Sequence, residues 1–165
     1  MGSKARKAFT ENAEDIQRLL ELHSETGGSA PGRRFGLEVL NKSAIVLITA
    51  IWEAYCEDLA SEALEHLVSN SSNSDALSKH IKQQVAKELK ADVNEVAIWT
   101  IAGEGWRTFL KDRLDDLKAE RDRRLNTPRA AEIDKLFLTA IGLEGVSDAW
   151  TWRRMNAQKA RNKLD

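Results

Sequence analysis

The sequence predicts an all-α fold, an up-and-down helical bundle built round one long central helix at about residues 36–68. Three observations carry this. Apolar residues recur at a 3.6-residue period in segment after segment, and only two prolines occur in 165 residues. No stretch alternates with period 2 for long enough to build a sheet. With 42% hydrophobic and 31% charged residues, the chain can bury one core under a charged surface, and it reads as a single domain, 1–165.

The first segment, about Lys4 to His23, places Phe9, Ala13, Ile16, Leu19 and Leu20 on one face, and Gly27-Gly28 and Pro31-Gly32 then break the chain. From Phe35 to Val68 the period is strongest. It runs through Leu37, Leu40, Ala44, Ile45, Leu47, Ile48, Ile51, Trp52, Tyr55, Leu59, Ala63, Leu64 and Leu67. Its middle is apolar nearly all round, which predicts a helix covered on several sides, with Ile48 and Trp52 among the least exposed residues. Ser69 to Ser74 is a polar turn. A shorter helix follows with Leu77, Ile81, Val85 and Leu89 as its stripe. Asp92-Val-Asn-Glu95 has capping-box spacing and predicts another helix start, interrupted by Gly103 and Gly105. Trp106, Phe109, Leu110, Leu114 and Leu117 open an amphipathic segment that ends in a charged run. Thr127 as N-cap and Pro128 at the first helical position start the next helix. It buries Ile133, Leu136, Phe137 and Ala140 and stops at Gly142. Ser147 is read as the cap of a last helix carrying Trp150 and Met155.

Cys56 is the only cysteine, so no intrachain disulfide can form, and a cytoplasmic location is the simplest expectation. Neither a signal peptide nor a membrane role is expected: acidic residues follow the basic N-terminus, and the run Ala44 to Ile51 is short against the roughly 20 residues of a span. Net charge is −1 but unevenly spread: residues 1–105 carry 11 basic and 16 acidic side chains, residues 106–165 carry 14 and 10. The basic half is open to two readings, a surface facing phosphates or helices laced with i,i+4 pairs such as Glu120 with Arg124.

Three histidines and one cysteine show no metal-ligand spacing, and neither a metal nor a cofactor is expected. His66 and His80 read as surface or half-buried side chains, Cys56 as a small apolar core residue, and Gly103-x-Gly105 lacks the strand-turn-helix setting of a phosphate loop. Glu53 and Glu57, four apart in the most apolar helix, are the candidate site acids. They either face a basic site or lie on a solvated strip.

The helix carrying Trp52-Glu-Ala-Tyr-Cys-Glu57 resembles a feature of HEPN domains of the RiboL-PSP type. Other pieces stand in the order of that family: Pro31-Gly-Arg-Arg34, then Gly103-Glu-Gly-Trp-Arg107, Asn126-Thr-Pro128, Leu136-Phe137 with Ile141-Gly142, and Trp150-Thr-Trp152. Each motif is soft, and the order over nearly the whole chain carries the likeness. The resemblance implies a dimerising helical bundle and metal-independent endoribonuclease activity in toxin–antitoxin, antiviral or stress-response systems, with RNA and an antitoxin or defence-system protein as partners. Arg33 and Arg34 are then candidate RNA contacts. Its signature is an arginine, usually a polar residue after it, and a histidine four to six residues on. That set suits RNA, whose 2′-OH is the nucleophile: imidazole moves the proton and guanidinium steadies the phosphate.

The sequence departs from the family at that signature. Arg161-Asn162 has its first two letters and no histidine follows within these 165 residues, so no catalytic residue is assigned. Arg18-Leu-Leu-Glu-Leu-His23 has the spacing, but five residues turn a helix by about 140°, and the two side chains would not meet. The expectation is a HEPN-like domain, inactive as it stands, whose reading frame past Asp165 would settle whether the motif follows. The alternative is a non-catalytic helical dimerisation or protein-interaction module. A homodimer is expected from the resemblance and from five tryptophans, two of which, Trp150 and Trp152, cannot share one helix face.

Overall fold

The computed structural model describes residues 2–27, 38–122 and 129–150. Among them are five α-helices: α1 (Lys4–Gly27), α2 (Glu38–Asn70), α3 (Lys79–Ala91), α4 (Gly105–Asp122) and α5 (Ala130–Ile141). Short 3-10 turns stand at Ser74–Ala76, Ala97–Ile101 and Val146–Ala149. There is no strand among the described residues. The all-α prediction with one long helix therefore holds: against the predicted 36–68, the helix is described over Glu38–Asn70.

The core forms where α2 to α5 meet. From α2 come Cys56, Ala60, Leu64 and Val68, one residue per turn. Leu77, Ile81 and Val85 meet them from the α3 side, and Trp106, Leu110 and Leu114 from α4. Ile133, Leu136, Phe137 and Ala140, the predicted stripe of α5, are all buried. That helix ends as its sequence requires. Gly142 takes φ +71°, and its N–H bonds to Leu138 O (3.0 Å) in an αL end, with Leu143 N reaching back to Phe137 O (3.4 Å).

α1 runs antiparallel to α2, as two anchors show. Near the start of α1, Glu62 of α2 accepts from Ser3 Oγ (2.8 Å) and from the backbone N–H groups of Lys4 and Ala5 (both 3.1 Å). It thus caps α1 from another helix, satisfying donors that no residue of α1 reaches. Two turns on, Phe9 meets Tyr55 and Trp52 at centroid separations of 4.8 and 6.1 Å. The three donors hold the Glu62 carboxylate below its ordinary pKa. A depressed carboxylate stabilises the fold at neutral pH, and that contribution disappears as pH falls through the folded value. Glu62→Gln is therefore expected to lower stability near pH 7 and to lose less than the parent protein on acidification, as thermal melts across the acid range would show.

Beyond those anchors α2 outruns the core. The face that buries Cys56, Ala60 and Leu64 continues towards the N-terminus as Val39, Lys42, Val46 and Thr49, one heptad-like stripe. Among the described residues no other helix covers it there: Val39 is 70% and Val46 68% exposed, and off the stripe Ile45 (65%) and Ile48 (51%) are exposed as well. Ile48 is thus not among the least exposed residues, as its apolar neighbours predicted, and Trp52 is half-buried. Periodicity shows which way a side chain faces but not whether anything packs there. By length and composition α2 is the one helix among the described residues that could cross a membrane. Its C-terminal half nevertheless carries the bundle core.

Two further expectations change. Asp92-Val-Asn-Glu95 opens no α-helix: Asp92 Oδ1 accepts from Asn94 N (2.8 Å) and Asn94 Oδ1 from Val96 N (3.2 Å). These consecutive Asx turns bend the backbone, and only the 3-10 turn Ala97–Ile101 follows. Ser147 lies inside a 3-10 turn rather than capping a helix, because Asp134 of α5 takes both its N–H (2.7 Å) and its hydroxyl (2.6 Å). Thr127, Pro128 and Met155 lie outside the described residues, as do the Glu120 and Arg124 side chains; α5 begins behind Arg129.

Candidate functional site

Glu53, Glu57 and Ser61 follow one another at single-turn spacing on α2, so they share a stripe. All three are half-buried. This lies between the two readings that the sequence left open: the acids are neither sealed in the core nor on a fully solvated strip. Both residues have partners within the folded chain. The polar line continues into α4, which runs antiparallel to α2. Ser61 Oγ donates to Glu57 O (2.8 Å) and accepts from Lys118 Nζ (2.8 Å), bringing a cation to the acid stripe. At the other end of α4, Arg107 donates to Ser71 O (2.6 Å) and fixes that helix against the end of α2.

Aromatic rings stand beside this stripe. Trp52 meets Tyr55 at 5.6 Å and, edge-on, Trp150 at 5.5 Å, with Phe9 closing the group from α1. Edge-to-face contacts fix ring orientation. The turn after α5 is thereby tied to the turn of α2 that carries Glu53. Arg33, Arg34, Arg161 and Asn162 lie outside the described residues.

Elsewhere the polar side chains serve the scaffold. Arg113, 11% exposed, grips both oxygens of Glu88 (2.7 and 2.9 Å), the Thr139 carbonyl (2.5 Å) and Gln84 Oε1 (2.5 Å), and Gln84 in turn meets His80 Nε2 (2.7 Å). Arginine, glutamine and histidine are thus linked in series, a cluster that sequence reasoning missed because its members come from three helices. The guanidinium spends three of its five N–H groups on these acceptors, and so ties α3, α4 and α5 together. His66 lies exposed on α2 and contacts Asn70 of its own helix (3.1 Å). Arg18 pairs on its own helix with Asp15 (3.2 Å) and Glu14 (3.9 Å).

The described part of the site can thus hold or orient a cationic group by its carboxylates. Among the described residues no histidine joins Glu53 or Glu57 on the stripe, so proton transfer to or from RNA has no imidazole there.

Compared with known proteins, the chain matches the sequence profile of one family, RiboL-PSP-HEPN, over residues 10–164. No curated protein and no solved structure matches it.

Proposed function

Because the chain belongs to the RiboL-PSP-HEPN family, we propose that it provides the RNA-handling scaffold of a metal-independent endoribonuclease of a defence or toxin–antitoxin system, while its 165 residues do not themselves cleave RNA. The observation that carries this reading is the edge-on contact of Trp150 with Trp52. It sets Trp150 beside the α2 turn that bears Glu53 and Glu57, half-buried acids whose chemistry suits orienting an arginine. Arg161-Asn162 has the first letters of the family signature, and the last histidine of the sequence is His80. Within these 165 residues no imidazole follows the arginine to serve as base towards the 2′-OH or acid towards the leaving oxygen.

The test uses a labelled single-stranded RNA, with and without EDTA. No cleavage above the buffer rate is expected from this chain, and cleavage in EDTA is expected once codons supplying an Arg-polar-x-x-x-His segment are joined to the C-terminus. Cutting by the 165 residues alone would return Arg18 and His23 to consideration. An inert extended chain would remove the nuclease reading.

We further propose that the protein is a homodimer. The exposed Val39, Ile45, Val46 and Ile48 at the N-terminal end of α2 support this, together with Leu20 (54% exposed) and Leu22 (50%) on α1. So much apolar surface on a single helical arm favours burial against another chain. Sedimentation velocity is expected to show a dimer that Val46→Glu converts to monomer. A parent protein that stays monomeric at high concentration would argue for the second reading, an interaction module that uses this face on a different partner.

A further inference from the structure

A cavity of about 590 Å3 opens between α3, the 92–104 segment and α4, away from the acid stripe of α2. Its floor is core: Leu77, Val85, Trp106 and Leu110 are all at least nine-tenths buried. The apolar surface does not stop at its mouth. Ile98, 57% exposed, forms part of the wall, and the same short segment presents Val93 (98%), Val96 (61%) and Trp99 (74%) to solvent. These side chains are held outward because Asp92 and Asn94 fix the backbone and Ala97, 5% exposed, is the residue that turns inward. A neighbouring depression shares Leu89, Asp92 and Phe109 with the cavity. Around the two, Asp75, Asp92, Glu95 and Asp112 outnumber Lys82 and Lys90, a balance of −2.

We propose that this groove is the docking site for an amphipathic helix of another protein, one with apolar anchors along one stripe and basic residues beside it. The occupant's chemistry follows from four features. A small molecule filling the cavity would leave Val93, Val96 and Trp99 of the adjoining segment in water, whereas a helix running past Ile98 is long enough to reach that segment too. The acidic balance repels a nucleic acid. Two copies of the same acidic groove repel each other, and a basic partner is attracted. The groove is built of helices and turns with no sheet edge, so an added strand has no backbone to pair with, and recognition falls to anchors in a groove. Lys82 and Lys90 are eight residues apart on one face of α3, about 12 Å, the length of roughly two helical turns. The groove is thus long enough for about two turns of a bound helix. This inference does not depend on any RNA chemistry.

The experiment uses the full chain and three fluorescein-labelled 18-residue peptides, followed by anisotropy. The first has leucines on one helical stripe and lysines elsewhere; the second replaces its lysines by glutamates; the third keeps the composition of the first with the leucines scrambled off the stripe. The first peptide is expected to bind, and the other two to bind at least about tenfold more weakly. Ile98→Asp, Trp99→Glu and Glu95→Lys are each expected to weaken the first peptide by about tenfold or more. All three positions are exposed, so circular dichroism and melting temperature are expected to stay at parent values. Equal binding of the glutamate or scrambled peptide would overturn the proposal, as would variants that bind like the parent. Loss of self-association in Trp99→Glu would identify a second copy as occupant, and displacement of the peptide by an RNA oligonucleotide would identify RNA. Either result would overturn it.

Discussion

Replacing Trp106 with alanine is expected to lower the unfolding free energy by about 3 kcal/mol, the lower end of the range for removing a large aromatic side chain from a core. The indole is 4% exposed and belongs to the cluster that joins α2, α3, α4 and α5. It also lies under the Arg107 guanidinium, 4.3 Å from the ring centroid. Its removal therefore deletes packing and takes away the surface on which Arg107 rests while bonding to Ser71. The loss stays near the lower end because Trp106 also forms part of the groove floor. The space left would open on solvent and fill with water rather than stand empty. Urea denaturation of Trp106→Ala and Trp106→Phe separates the contributions, since phenylalanine restores most of the volume. A cost below about 1 kcal/mol for the alanine variant would show that the indole is not part of the core.

Gly105→Ala is the second large effect, expected to cost about 2–4 kcal/mol. A Cβ at this position would lie 1.9 Å from the Thr100 carbonyl oxygen and 2.9 Å from its carbon. Both are backbone atoms, so no rotamer change relieves the overlap. Either the first turn of α4 or the 3-10 turn Ala97–Ile101 must shift. Gly103 provides the contrast. It has φ +58° and nothing within 4 Å of an added Cβ, so alanine there meets only the left-handed backbone cost of roughly 1–2 kcal/mol. Thermal melts should rank Gly105→Ala as the more damaging. Acrylamide quenching should also detect a changed environment of Trp99 in that variant alone, because its carbonyl neighbour is the displaced group. Equal effects at the two glycines would mean that the close approach to Thr100 is not a constraint.

What the sequence made legible is whatever one element decides alone. The α5 stripe Ile133, Leu136, Phe137 and Ala140 and its stop at Gly142 rest on local spacing and on one residue's tolerance of positive φ, and both stand as read. The α3 stripe also stands, with Ser78 capping it through Ile81 N. What stayed hidden depends on partners far along the chain. Arg113 reaches Glu88, Gln84 and Thr139 from 25 to 29 residues away, and Glu62 caps α1 from 57 to 59 residues away. No spacing rule encodes such pairs. The 92–104 segment misled for a different reason: aspartate, asparagine and valine suit a helix start as well as a bend, and the side chains chose to bond two residues ahead. In the candidate site, single-turn spacing placed Glu53 and Glu57 on one stripe, whereas the approach of Lys118 and the contact of Trp150 needed the assembled bundle.

The extension of α2 beyond the core also divides the molecule energetically. Between Glu38 and Ala50 no residue of α2 is buried, and among the described side chains of α1 only Ala5 is. The far half of this helical pair therefore adds little to the cooperativity of the bundle. It can open as a sub-global unit while Leu64, Ile81, Ile133 and Leu136 remain packed. Its amides then exchange by a low-energy route that bypasses global unfolding, down to the level at which Glu62 and the Phe9 contacts clamp the start of α1. Docking of any second chain on the exposed stripe would remove that route first, making the arm rather than the core the part of the protein whose local stability reports on assembly.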